Sequence, residues 1–97
     1  MAAYVISEVS EVVDVAVMER YRALAEVTIK QYGGCYLVRG GVWENLEGEW
    51  ELDRTIVVEF PSWEQAKAWY RSPEYATAME LSRVALKRKM LLVEGVP

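Results

Sequence analysis

Between Arg54 and Tyr75 the chain reads RTIVVEFPSWEQAKAWYRSPEY, and this stretch alone holds a strand, a stop and two capped helix starts. Thr55, Ile56, Val57 and Val58 are β-branched, which suits the pleated surface of a sheet. Pro61, directly after Phe60, removes a backbone donor and halts the ladder. Ser62 stands three residues before Gln65, a capping box in which the hydroxyl accepts from the Gln65 backbone N–H while the amide reaches back. A helix therefore starts at Trp63. Ser72, Pro73 and Glu74 repeat the grammar, with a cap hydroxyl, a proline at the first helical position and an acid near the positive helix end.

The remainder of the chain fits around this stretch. Tyr4 to Val9 is short and β-branched and reads as a strand with faces Tyr4/Ile6/Glu8 and Val5/Ser7/Val9, both carrying apolar groups. Asp14 can cap a helix from about Val15 to Tyr32, whose stripe holds Met18, Tyr21, Leu24, Ala25, Thr28, Ile29 and Tyr32. Gly33-Gly34 ends it. A second strand runs from Cys35 to about Trp43, with a bulge expected at Gly40-Gly41. It pairs through an acidic tip, Glu44 to Glu51, with the strand that follows as an antiparallel hairpin. The helix from Trp63 ends near Arg71. The next is expected from Pro73 to about Lys89, with Lys87-Arg88-Lys89 at its negative end, and Met90 to Glu94 forms a last strand.

The order β-α-β-β-α-(α)-β predicts an α+β domain of ferredoxin-like type, a four-stranded antiparallel sheet with helices on one face. Residues 1–97 form a single domain on this reading. Ile56/Val58/Phe60 alternate with Thr55/Val57/Glu59, and Met90/Leu92 with Leu91/Val93, so both faces of the sheet are largely apolar. Helices can cover only one. An identical subunit is the commonest supplier of the missing layer, and a composition 53% apolar with four Trp agrees with surface covered by a partner. A homodimer through facing sheets is therefore expected.

Charge and residue types narrow the function classes. The net charge of −4 repels a phosphate backbone, and RTIVVEF lacks the glycine and aromatic pattern of an RNA-recognition strand. Nucleic acid is not expected as a partner. No apolar run approaches the roughly 20 residues of a membrane span, and MAAYVISEVSE lacks the features of a signal peptide, so a cytoplasmic protein is expected. Cys35 is alone and the chain has no histidine, which leaves no disulfide, no zinc-type ligand set and no expected metal or cofactor. Cys35 reads as a small buried apolar group. The acidic tip matches no calcium-loop spacing.

Several motifs together resemble the DUF1330 proteins, small domains of unknown function within the dimeric α/β-barrel superfamily. They are Tyr21, Gly33-Gly34, Arg39-Gly40-Gly41, Glu47-Gly48 with Trp50, Glu59-Phe60-Pro61-Ser62, Trp69-Tyr70, Ser72-Pro73-Glu74-Tyr75 and Glu94-Gly95. The resemblance spans nearly the whole chain and implies a ferredoxin-like subunit and a dimer, but no reaction. Wider relatives include cofactor-independent monooxygenases, dehalogenases and haem-degrading enzymes. Any role they give to a histidine has no residue to carry it here.

Arg39 stands inside a strand between Val38 and two glycines, where a guanidinium is costly unless paired or solvated. A carboxylate contact resolves that cost, and Glu59, Glu47 or a ligand acid could supply it. Whether Arg39 and Glu59 share a face turns on a register that a bulge at Gly40-Gly41 shifts by one residue. Tyr21, Tyr70 and Tyr75, with Trp69, suit either core or a pocket wall. Glu59 is either a general base or a paired carboxylate. Ser62 and Ser72 are helix caps with no histidine to activate them.

Two readings follow. In one, the chain is a homodimeric small-molecule-binding domain, with or without cofactor-independent catalysis, whose cleft between sheet and helices uses Arg39, Glu59, Tyr21, Tyr70 and Tyr75 to hold a small acidic ligand. In the other it is a non-catalytic structural or protein-interaction module in which Arg39 and Glu59 close an internal salt bridge.

Overall fold

The computed structural model describes residues 1–97, ordered as β1 (Ala3–Val12), α1 (Val15–Gln31), β2 (Cys35–Arg39), β3 (Arg54–Phe60), α2 (Trp63–Tyr70), α3 (Pro73–Ala85) and β4 (Leu86–Glu94). The strands lie in the order β2-β3-β1-β4 with every neighbouring pair antiparallel. This is the α+β, ferredoxin-like arrangement that the strand pattern predicts.

Local chemistry sets the element ends. Asp14 accepts from the Val17 N–H, Ser62 from Gln65 and Ser72 from Tyr75, each at 3.1 Å, so all three helices begin at the caps expected of them. Gly33, at φ 80°, turns the chain after α1 in a conformation that costs glycine little. Gly34 is required for a different reason, since a Cβ there would sit 2.6 Å from Ile29 Cγ2 and 2.8 Å from Phe60 Cε1.

The helices pack on one sheet face. Strand alternation sends Val5, Ser7 and Val9 of β1 and Val58 and Phe60 of β3 toward them. Trp69 stacks 4.2 Å from the Tyr75 ring and 5.3 Å from Phe60, centroid to centroid. Its indole Nε1 donates to Thr28 Oγ1 at 3.0 Å, which satisfies the polar tip inside the core. On the opposite face Tyr4, Ile6, Val57, Leu91 and Val93 have no second layer, and Leu91 is 56% exposed. Trp43, Trp50 and Leu52 of the β2-β3 connection lie over the Ile6, Glu8 and Thr55 end of that face.

Four expectations are corrected here. The second strand stops at Arg39 instead of Trp43, and its bulge falls between Tyr36 and Val38, not at Gly40-Gly41. Gly40, at φ 71°, instead turns the chain out of the sheet while its N–H still donates to the Thr55 carbonyl at 3.0 Å. The last helix stops at Ala85 instead of Lys89, and Leu86, at φ −135° and ψ 150°, is already extended. The Ala85 carbonyl is taken by the Val13 and Asp14 N–H groups at 2.7 and 3.2 Å, so the turn between β1 and α1 uses an acceptor at the helix end. Lys87, Arg88 and Lys89 therefore belong to β4. Cys35, expected to be buried, is exposed on the edge strand.

Candidate functional site

Tyr21 lies on the buried stripe of α1, Tyr75 in the first turn of α3 and Arg88 on the helix-facing side of β4. The three meet at their polar ends. The Tyr21 and Tyr75 hydroxyl oxygens are 2.8 Å apart, Arg88 Nη1 donates to Tyr21 at 2.8 Å, and Nη2 donates to Tyr75 at 3.0 Å. The guanidinium also stands 5.0 Å from the centre of the Tyr21 ring, within cation–π range. No carboxylate pairs with it. The other cleft arginines each have one: Arg22 with Glu19, Arg39 with Glu26 and Arg54 with Asp53, at 3.0, 3.2 and 2.7 Å.

Arg39 reaches this region because of the bulge. With Leu37 as the extra residue, Tyr36 stands opposite Val58 and Arg39 opposite Ile56, both on the helix side, whereas an unbroken register would point Arg39 away. Its guanidinium lies 4.4 Å over the Tyr36 ring and pairs with Glu26 of α1. The same register settles the proposed internal pair against Glu59. Glu59 is opposite Tyr4 and Cys35 on the open face, so it is outside the helix-side cleft and cannot neutralise Arg39.

A cleft opens between α1 and the sheet. Half-exposed Arg22, Arg39 and Arg54 rim it, Tyr21 and Arg88 reach its interior, and Ser7 sits on an otherwise apolar wall with Val5 and Met90. The space inside is about 50 Å³, and no acidic side chain lines it. Burial raises the Tyr75 pKa far above the ordinary tyrosine value and pushes Tyr36 up to about 12. Both phenols are therefore neutral at physiological pH and act as hydrogen-bonding groups, not as bases. Glu26 is held below the usual carboxylate range, chiefly by its hydrogen bond to Arg39.

Of the candidate residues read from sequence, the structure brings Tyr21, Tyr75 and Arg39 to this region. Tyr70 lies outside it, in an open depression with Met79, Ser82 and Arg83 on the far side of Arg88. Arg88 and Ser7 were absent from the candidates. The alternation Leu86, Arg88, Met90, Leu92 against Lys87, Lys89, Leu91, Val93 is a strand signal that could have found Arg88. No cluster of three or more His, Cys, Asp or Glu side chains suited to a metal is formed.

Solved structures share this architecture at low sequence identity. The chain is similar to a protein of unknown function from Rhodopseudomonas palustris, with a TM-score of 0.78 and 15% identity over 99% of this chain and 83% of that one. It is similar to a dimeric ferredoxin-like protein of unknown function from Jannaschia sp., at 0.72 and 12% over 98% and 100%. It is also similar to SnoaB, a cofactor-independent oxygenase from Streptomyces nogalater, at 0.62 and 10% over 97% and 91%. No curated protein matches the chain. Residues 2–96 match the model of the domain of unknown function DUF1330, and the chain belongs to that family.

Proposed function

We propose that two copies of this domain associate through the open sheet face, and that each binds a small acidic ligand in its helix-side cleft. The dimer reading is supported by the uncovered apolar strand positions and by exposed Val42, Leu46 and Trp50 on the adjoining connection. The description of the Jannaschia protein as dimeric agrees with it. Light scattering over a dilution series tests this part; a monomer at micromolar concentration with intact secondary structure would contradict it.

One observation carries the ligand reading: Arg88 is the cleft arginine without a carboxylate, and nothing acidic lines the cleft to supply one. A guanidinium has only donors, and a carboxylate is the acceptor that offsets its removal from water most fully. Arg39, at the rim, adds to the attraction of an acid. The cleft has no histidine and no carboxylate base, so the reading stops at binding, and the oxygenase among the solved structures shares the fold alone.

Melting curves in acetate and propionate, against acetamide at matched ionic strength, test it. A carboxylate at ten times its Kd should add about 1.4 kcal/mol, or roughly 6–11 °C for a domain of this size. Equal melting temperatures in all solutions would remove the acidic-ligand reading. The interaction-module reading is favoured by the narrowness of the cleft, about 50 Å³ against several hundred for ligand pockets in general. It predicts that outcome.

A further inference from the structure

The hydrogen atoms of the Arg88, Tyr21 and Tyr75 group can be placed by counting donors. Both Arg88 contacts are donations, one to each phenol oxygen. One hydroxyl must then donate across the 2.8 Å between the phenols. Tyr75 is 0% exposed and its oxygen meets only Tyr21 and Arg88. If Tyr21 were the donor, the Tyr75 hydrogen would be buried without an acceptor, which is costly. Tyr75 is therefore the donor. The Tyr21 oxygen accepts twice, and its own O–H is left over.

That spare donor belongs to the residue of the pair that lines the cleft. Accepting from a guanidinium and from a phenol polarises the Tyr21 hydroxyl and strengthens it as a donor. Ser7 supplies a second polar group on the same lining. It stands opposite Ile56 and Met90 in the middle of the sheet, is 3% exposed, and its hydroxyl bonds to no other side chain or carbonyl. On that face its strand neighbours Val5 and Val9 are apolar, so the Ser7 hydroxyl is the one polar group that β1 brings to the lining.

We infer that the Tyr21 O–H, held by Tyr75 and Arg88, and the Ser7 hydroxyl form a seat for one compact carboxylate. This deepens the small-acid reading and rests on it. The size fits the head of the ligand: about 50 Å³ exceeds the roughly 10–15 Å³ that a cavity needs to hold one water and leaves room for a compact group only. A longer acid would leave its tail toward the Arg22, Arg39 and Arg54 rim.

The test uses the full chain with ¹³C-labelled tyrosine, titrated with acetate and separately with acetamide. The Tyr21 Cζ resonance should move saturably with acetate and far less with acetamide. Tyr21→Phe keeps the ring and deletes the donor, and should weaken acetate roughly 10- to 100-fold, the range for a hydrogen bond to a charged group. Ser7→Ala, read by acetate calorimetry, should weaken it several-fold and serves as the second variant if Tyr21→Phe folds poorly. Acetate affinity unchanged in both variants, or acetamide binding as tightly as acetate, overturns the seat. If acetate binding survives Tyr21→Phe and Ser7→Ala but is lost in Arg88→Met, the seat falls and the small-acid reading stands. If neither acetate nor propionate binds the wild type, both fall.

Discussion

The hydroxyls of Tyr21 and Tyr75 lie 2.8 Å apart although the residues are separated by 54 positions. Their contact joins α1 to α3, and Arg88 of β4 ties both to the sheet. A shared network of this kind is expected to show coupling. Tyr21→Phe and Tyr75→Phe should each lower stability by about 1–3 kcal/mol, since each leaves a polar neighbour short of a partner. The double variant should cost less than the sum. Urea unfolding of the four proteins measures the cycle, and strict additivity would show that the hydroxyls act separately.

Trp69→Ala removes an indole that is 1% exposed, touches Phe60 and Tyr75, and satisfies its N–H on Thr28. Loss of a buried aromatic of this size costs about 3–5 kcal/mol. A urea midpoint within error of wild type would place the ring outside the core.

Arg39→Met is expected to melt close to wild type, because both partners of the Arg39 and Glu26 pair are more than one third exposed and such pairs contribute little. Adding Glu59→Gln should rescue nothing, since Glu59 lies on the other sheet face. The folded-state pKa of Glu26 is depressed, so whatever the pair contributes is present at neutral pH and fades as pH falls through the carboxylate range. Early melting of Arg39→Met with recovery in the double variant would contradict the register.

The tyrosines make a prediction at the alkaline end. Tyr36 is raised to about 12 and Tyr75 further, both first by burial, whereas unfolded tyrosines titrate near 10. A raised folded pKa means stability that is complete below about pH 10 and is lost as pH climbs toward the folded value. Ultraviolet titration should therefore show two or more tyrosines ionising late, together with unfolding. Six tyrosines titrating normally in a folded protein would show that these rings are solvated.

The fold was legible because its signals are local. Asp14, Ser62, Ser72 and Pro61 act on backbone within a turn of themselves, and the hydroxyl and carboxylate caps stand where the spacing places them. The site was less legible because it depends on two events that leave weak local marks. The bulge at Leu37 reverses the direction of Arg39, yet the adjacent Gly40-Gly41 is the stronger sequence signal for a bulge. Passing from Ala85 to Leu86 without a connecting loop converts an apparent basic helix end into a strand. That change moves Arg88 from a solvated charge to a partner of two buried tyrosines, a contact spanning 67 residues to Tyr21. Glu59, plausible as a partner by composition, was excluded only by register.

Calorimetric titration of acetate into wild type, Arg39→Met and Arg88→Met tests most directly whether the Arg88 charge, which no carboxylate neutralises and which holds the Tyr21 hydroxyl, draws an acid into the cleft. Arg88→Met is expected to fold, since deleting a guanidinium that faces no carboxylate leaves no buried counter-charge behind. The expected result is an affinity at least about tenfold weaker in Arg88→Met, with Arg39→Met within a few-fold of wild type. Acetate binding to folded Arg88→Met with wild-type affinity would contradict it.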